Sequence, residues 1–358
     1  MKVMAINSSP RGKGQSKTEW ILNNLVTGMQ EAGADVNVVH LRKKKINYCI
    51  GCFTCWTKTP GKCLHKDDMT RELFPEFIES DVVVYATPLY HFTANAQMKT
   101  FIERTLPILQ PFFKMTGERT RHPLRHEFPK AVWVSVAGFP EHSVFDELSH
   151  YVRYIFRDRL LAEIYRPAAE SLVGRGSEKL QADVAQAVKQ AGREIVKSGQ
   201  VSAETMARIQ QPAFESREVF HEIGNMFWRT CIAEGVTPKE FNDQEMVPRP
   251  ETLNGFMLLM KLAFKTEAAQ DLKAVIQYKF SGEIQGNCYF AIADGIIQAE
   301  EGISADPDLT IESPFDVWMD IMTQKADGQK MFMQQKYTVT GDLNLLMKMG
   351  AVFGSGEK

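Results

Sequence analysis

The chain has 358 residues, with 42 Lys and Arg against 44 Asp and Glu, so no net field favours nucleic acid as a partner. A hydrophobic fraction of 44% is enough for sizeable cores, and the length allows two domains. The longest apolar candidate for a membrane span, Met257–Phe264, is broken by Lys261, so no transmembrane segment is expected. Nothing at the N-terminus reads as a signal peptide, and the expected location is cytoplasmic.

The N-terminal half alternates strand and helix. Lys2–Ile6 is a short apolar run, and Trp20, Ile21, Leu25 and Met29 then share one helical face. Val36–Leu41 is the next strand. A helix carries Leu73, Phe74, Phe77 and Ile78. Val82–Ala86 is a continuous apolar strand of the kind buried on both faces. A helix over Ala94–Thr105, a strand over Ala131–Ala137, a helix over Phe145–Phe156, a strand over Leu161–Tyr165 and a helix over Glu178–Lys197 complete the series. This order predicts an α/β fold with a parallel, doubly wound sheet of flavodoxin-like type.

Two loops of such a sheet carry its chemistry. The first, Asn7–Thr18, links the first strand to its helix and is rich in hydroxyls and glycines, the makings of an anion site at a helix N-terminus. It lacks the G-x-G-x-x-G of dinucleotide sites, and Arg11 stands where a Walker loop needs its first glycine. A single terminal phosphate, such as that of FMN, suits it, and a plain polar turn capping a helix is the alternative. The second, Ala86–Asn95, follows the third strand and flanks the switch point where ligands bind in this topology. Its Tyr90 and Phe92 suit the cover of a flat ring. A third loop, Ala137–Glu141, reaches the same crevice, and Gly138 allows close backbone approach.

Four of the six cysteines, Cys49, Cys52, Cys55 and Cys63, fall within fifteen residues in a C-x2-C-x2-C-x7-C pattern. Three thiols at two-residue gaps converge when the backbone curls, and a fourth arrives through the Pro60–Gly61 bend. An iron–sulfur cluster of the 4Fe-4S type suits that spacing. A four-cysteine zinc site and four free thiols remain open, whereas a disulfide framework is disfavoured by the rest of the chain. The segment 106–130 interrupts the sheet pattern and holds Arg119, Arg121, His122, Arg125 and His126. It reads as a basic lid able to attract a nicotinamide phosphate, or as a solvated loop.

The motifs S-P-R-x-x-G-Q-S at Ser9–Ser16, A-T-P-L-Y at Ala86–Tyr90, Q-M-K-x-F-I-x-R at Gln97–Arg104 and A-G-F-P-E at Ala137–Glu141 resemble the NADPH-dependent FMN reductase family. The cysteine run is similar to that of its iron–sulfur flavoproteins. The resemblance covers about residues 1–200. It implies FMN bound through its phosphate at Ser9, Arg11, Gln15, Ser16 and Thr18. It also implies Pro88, Leu89, Tyr90, Ala137, Gly138 and Phe139 against the isoalloxazine, NAD(P)H as electron donor, a small-molecule acceptor such as a quinone, and a homo-oligomer. Gln15 stands where the family usually has Asn, and the cysteine spacing is at the long end of the pattern.

Residues 201–250 read as a helical linker punctuated by prolines. From about 251 to 358 the order changes: a helix with Phe256, Leu259, Met260 and Phe264, then strands at Ala274–Phe280, Asn287–Ala293, Gly295–Ala299 and Asp308–Ile311, expected as an antiparallel meander. Helices follow at Phe315–Thr323, Gly328–Gln334 and Leu343–Met349. The motifs Y-K-F-S-G at Tyr278–Gly282, D-L-T-I at Asp308–Ile311 and Y-T-V-T-G-D-L-N-L-L-M-K at Tyr337–Lys348 resemble the sterol carrier protein type 2 family, which implies an α+β domain with an apolar tunnel for lipids. Eight of the seventeen methionines follow Gly255, and Met319, Met322, Met331 and Met333 are expected to line or gate that tunnel.

Overall fold

A computed structural model of the chain describes residues 1–12, 14–172 and 177–354. Lys13 of the phosphate loop lies outside the described residues. Contacts divide the chain into two compact units, Met1–Ala213 and Phe214–Lys358. The helical stretch 201–250 is shared between them.

The first unit runs β1 (Lys2–Asn7), α1 (Lys17–Glu31), β2 (Asp35–His40), α2 (Phe74–Glu79), β3 (Val82–Tyr90), β4 (Thr93–Ala94), α3 (Ala96–Glu103), β5 (Lys114–Thr116), β6 (Arg119–Arg121), β7 (Lys130–Val136), α4 (Asp146–Phe156), β8 (Leu160–Arg166), α5 (Glu178–Ser198) and α6 (Ala203–Ile209). Its main sheet has the order β2-β1-β3-β7-β8, every pair parallel. This is the flavodoxin-like order, with the switch point at β1/β3. Val82, Val83 and Val84 of β3 are all buried because helices cover both faces. One core layer joins Val3, Ala5 and Val84 to Leu22 and Leu25 of α1 and Val188 and Ala191 of α5. The opposite layer joins Met4, Tyr85 and Trp133 to Phe77, Phe101 and Phe156. The hairpin β5–β6 inside the expected basic lid is a finding: its strands are three residues each and mostly exposed, so no burial pattern marks them.

The second unit runs α7 (Arg217–Glu234), α8 (Pro238–Asp243), α9 (Leu253–Ala263), β9 (Ala274–Ser281), β10 (Gly286–Ala293), β11 (Ile296–Glu301), β12 (Leu309–Pro314), α10 (Phe315–Met322), α11 (Gly328–Met333), β13 (Thr338–Gly341) and α12 (Leu343–Val352). The sheet order is β11-β10-β9-β12-β13. The expected antiparallel meander holds only for β9, β10 and β11. After β11 the chain returns to the free edge of β9, where β12 pairs parallel, and β13 closes the sheet antiparallel to β12. The core centres on Phe256, whose ring meets Tyr278 and Phe280 edge-on at 5.0 Å each. Met319 is fully buried in it, and Met322 and Met331 pack half-buried on it. Met333, expected to line or gate the tunnel, is 84% exposed and so lines no core surface. It is the last residue of α11, a six-residue helix with no buried residue.

Candidate functional site

Adjacent parallel strands bring the three loops after β1, β3 and β7 to one edge of the sheet, and hydrogen bonds tie them together. The Ser8 amide and hydroxyl both donate to Ala86 O, at 2.9 and 3.1 Å. Asn95 caps α3 by accepting from the Met98 amide at 3.1 Å, and its Nδ2 donates to Ser8 O at 2.7 Å. Ser135 Oγ donates to Thr87 O at 3.0 Å. Asn7, Ser8, Thr87, Asn95 and Ser135 are all buried, so this polar seam is rigid.

The loop between β1 and α1 owes its shape to Ser16. Its hydroxyl accepts from the Glu19 amide at 3.0 Å and starts α1. The amides of Lys17 and Thr18 in that first turn have no intrahelical acceptor. Ser9, Ser16 and Thr18 are buried around this start, whereas Arg11 and Gln15 are exposed. Arg11 Nη1 reaches Glu170 at 2.7 Å, and Lys17 Nζ reaches the same carboxylate at 3.2 Å. Burial alone would raise the Glu170 carboxyl, but Lys17 and Arg11 hold it below its ordinary value. Sequence reasoning missed Glu170, and it singled out the loops that hold Lys17 and Asn95 without giving either residue a role. Glu170 is 159 positions from Arg11 and nothing local marks it.

The other two loops present rings. Pro88 pairs with Val136 across the sheet, Leu89 is half-buried, and Tyr90 is exposed. β3 turns into β4 through His91 and Phe92, both left-handed at φ 47° and 62°. Such a two-residue turn normally takes Asn-Gly, so two side chains there store strain. Ala137 is locked by its amide to Arg166 O at 3.1 Å and by its carbonyl, which accepts from the Ala169 amide at 2.9 Å. Gly138 has no atom within 4 Å of where a Cβ would stand, and the Phe139 ring is exposed. Buried hydroxyls, free amides and a cation on one side, with open space and aromatic rings on the other, fit a phosphate and a flat ring system. Two surface grooves of about 540 and 470 Å³ lie elsewhere on this unit, along α4 and β8, and include none of these residues.

The cysteine segment follows β2, and the Trp56 indole donates to Leu106 O at 3.3 Å. Cys55 is buried, Cys49 and Cys63 are half-buried, Cys52 is exposed, and all six cysteines are free. Burial pushes the Cys55 thiol up, and the nearby Cys63, Cys52 and Cys49 push the same way, so the four thiols share one neighbourhood. The donor chemistry fits a metal–thiolate group. Their present spacing is not that of a closed site: among the described residues, no three His, Cys, Asp or Glu side chains share a metal position. The basic segment packs on this loop, with the His122 ring 4.7 Å from Trp56. Arg119 lies over Tyr154 of α4 at 4.9 Å.

The fold and these loops define a flavodoxin-like α/β unit with buried hydroxyls and a helix start gathered at its switch point, joined to a separate α/β unit. Residues 1–136 match the NADPH-dependent FMN reductase family, and residues 258–354 match the SCP-2 sterol transfer family. An iron–sulfur flavoprotein of Archaeoglobus fulgidus is 44% identical over 107 residues, 30% of this chain and 46% of that protein. An iron–sulfur flavoprotein of Methanocaldococcus jannaschii is 38% identical over 109 residues, 30% of this chain and 52% of that protein. The chain thus spans about half the length of the curated relatives it matches. An NAD(P)H:quinone oxidoreductase from Methanothermobacter marburgensis superposes with a TM-score of 0.41 at 17% identity, over 55% of this chain and 96% of that one. No helix among the described residues is long and apolar enough to cross a membrane.

Proposed function

We propose that the chain is an FMN-dependent NAD(P)H oxidoreductase that passes electrons to a small-molecule acceptor of the quinone type. The observation that carries this reading is the start of α1, where buried Ser9, Ser16 and Thr18 surround amides that have no intrahelical acceptor, beside Arg11 and Lys17. When bound, FMN would supply hydride and electron chemistry. The protein's part is placement and electrostatics. Ser9, Arg11, Gln15, Ser16 and Thr18 hold the phosphate, and Pro88, Leu89, Tyr90, Ala137, Gly138 and Phe139 border the ring. Replacing Ser9 and Ser16 together with Ala is expected to weaken FMN binding by about 1.5–3 kcal/mol per lost bond to the charged group. Unchanged affinity in a folded double variant rejects the site.

Cys49, Cys52, Cys55 and Cys63 are proposed to bind a 4Fe-4S cluster, on the strength of the donor set and the names of the relatives. Such a group would add one-electron chemistry. NAD(P)H oxidation with an added quinone distinguishes an enzyme from an electron carrier, which would show none. Homo-oligomer formation belongs to the same reading, supported by exposed Tyr90, Phe92 and Phe139 around the crevice. The second unit is proposed to take up an apolar ligand. Its affinity for acyl chains should rise by about 0.8 kcal/mol per methylene until the cavity fills, and a flat dependence rejects a tunnel.

A further inference from the structure

Arg104 directly follows α3 and is 2% exposed. A guanidinium has five N–H donors. Four of these are engaged here. Nη1 donates to Asn47 O at 2.6 Å and Asp67 Oδ2 at 2.7 Å, and Nη2 donates to Asp67 Oδ1 at 3.1 Å and Thr70 Oγ1 at 3.2 Å. Asp67 completes the ring by accepting from the Asn47 amide at 2.9 Å. Asn47 precedes Cys49 and Asp67 follows Cys63, so one side chain fastens both ends of the cysteine segment. The fifth donor, Nε–H, is buried and meets no nitrogen or oxygen acceptor among the described residues. The Cys63 side chain acts on this guanidinium, together with Asp67, and helps to hold its proton.

A buried donor without a partner is costly and calls for an explanation. The charge of Arg104 is already balanced by Asp67, so Asp67 accounts for the buried cation but not for Nε–H. The same helix is anchored at its other end, where Asn95 holds the Ser8 carbonyl of the phosphate loop. α3 therefore connects the two cofactor loops through eight residues, about 12 Å of rigid helix.

We propose that Arg104 is the positioning residue of the cysteine loop: it fixes both ends, and its remaining donor, Nε–H, is held for the sulfur of Cys63 when that sulfur ligates a metal. The second clause rests on the cysteines being a metal-binding set. The first holds in the metal-free protein. Donors to ligand sulfurs orient the ligand and raise the reduction potential of the metal group they serve.

Two variants of the full chain test this. Arg104→Lys keeps the charge but loses the planar fork and Nε. The pair Asp67→Asn with Arg104→Gln removes both charges, leaves groups that can still hydrogen-bond each other, and so guards against misfolding. In metal-free protein, alkylation mapped cysteine by cysteine should show Cys63 modified severalfold faster in both variants, with buried Cys231 and Cys288 still protected. FMN affinity should be unchanged. After anaerobic reconstitution, iron affinity should fall roughly tenfold or more, as when a group that hydrogen-bonds a metal ligand is lost, and the potential should become more negative. Folded variants with wild-type Cys63 reactivity overturn the proposal, as do variants that lose FMN in parallel. Wild-type protein that takes up neither iron nor sulfide rejects the cluster and the Nε–H role with it, while the alkylation result still judges the bracing role of Arg104.

Discussion

α1, which follows the loop proposed to hold a phosphate, crosses α5 at two glycines that leave no room for a side chain. A Cβ on Gly28 would stand 1.9 Å from Lys189 O, and one on Gly192 would stand 2.3 Å from Leu25 O. Both obstacles are backbone, so no rotamer change relieves them. Ordinary contact begins near 3.4 Å, and the helices would have to part by more than an ångström. That separation disturbs Leu25, Met29, Val188 and Ala191, all fully buried. Overpacking of this kind costs about 3 kcal/mol at the upper end of its usual range. Alanine in a helix returns about 1 kcal/mol relative to glycine. Gly28→Ala should therefore destabilise the first unit by roughly 2 kcal/mol, a fall of about 4–8 °C in its melting transition. Gly224 of α7 is the control, because nothing lies within 4 Å of its Cβ position. Gly224→Ala should stabilise the second unit by up to about 1 kcal/mol. Thermal unfolding of the full chain by circular dichroism reads both, and hydrogen exchange of the α1 and α7 amides assigns each transition to its unit. A Gly28→Ala variant melting at or above wild type would refute the argument.

Glu170→Gln removes the carboxylate that engages Arg11 and Lys17. A unit charge at about 4 Å is worth about 1 kcal/mol in water, so inorganic phosphate and FMN should bind roughly fivefold tighter by calorimetry at low salt. Weaker binding would mean that Glu170 orients Arg11 rather than competing for it. Burial by itself would raise Asp67, but Arg104 and the Asn47 amide hold it down at about 2, against an ordinary value of 3.8. Its stabilisation, roughly 2 kcal/mol, is present above pH 4 and lost as pH falls through the folded value. Between pH 4 and 2 the wild type should lose that much more stability than Asp67→Asn, and parallel curves in denaturant titrations would reject the pairing.

The local sequence determined most of the elements and the hydroxyl-rich make-up of the first loop. Apolar runs such as Val82–Val84 and the one-faced spacing of Ile21, Leu25 and Met29 are local patterns, and periodicity reports them directly. Ser16 as a cap needs only its own helix. The four cysteines needed only their spacing to be noticed, although spacing did not settle how closely their sulfurs converge. Tertiary structure decided everything that depends on reach across the chain. Arg104 meets Asp67 from 37 positions away, and Arg11 meets Glu170 from 159. A charged residue carries no signal of which distant partner will bury or neutralise it. The parallel pairing of β12 with β9 was equally invisible, since alternation along a strand sets its faces but not which free edge receives it. Met333 is exposed for the same reason: whether an apolar residue at a helix end meets the core depends on where the packed core ends.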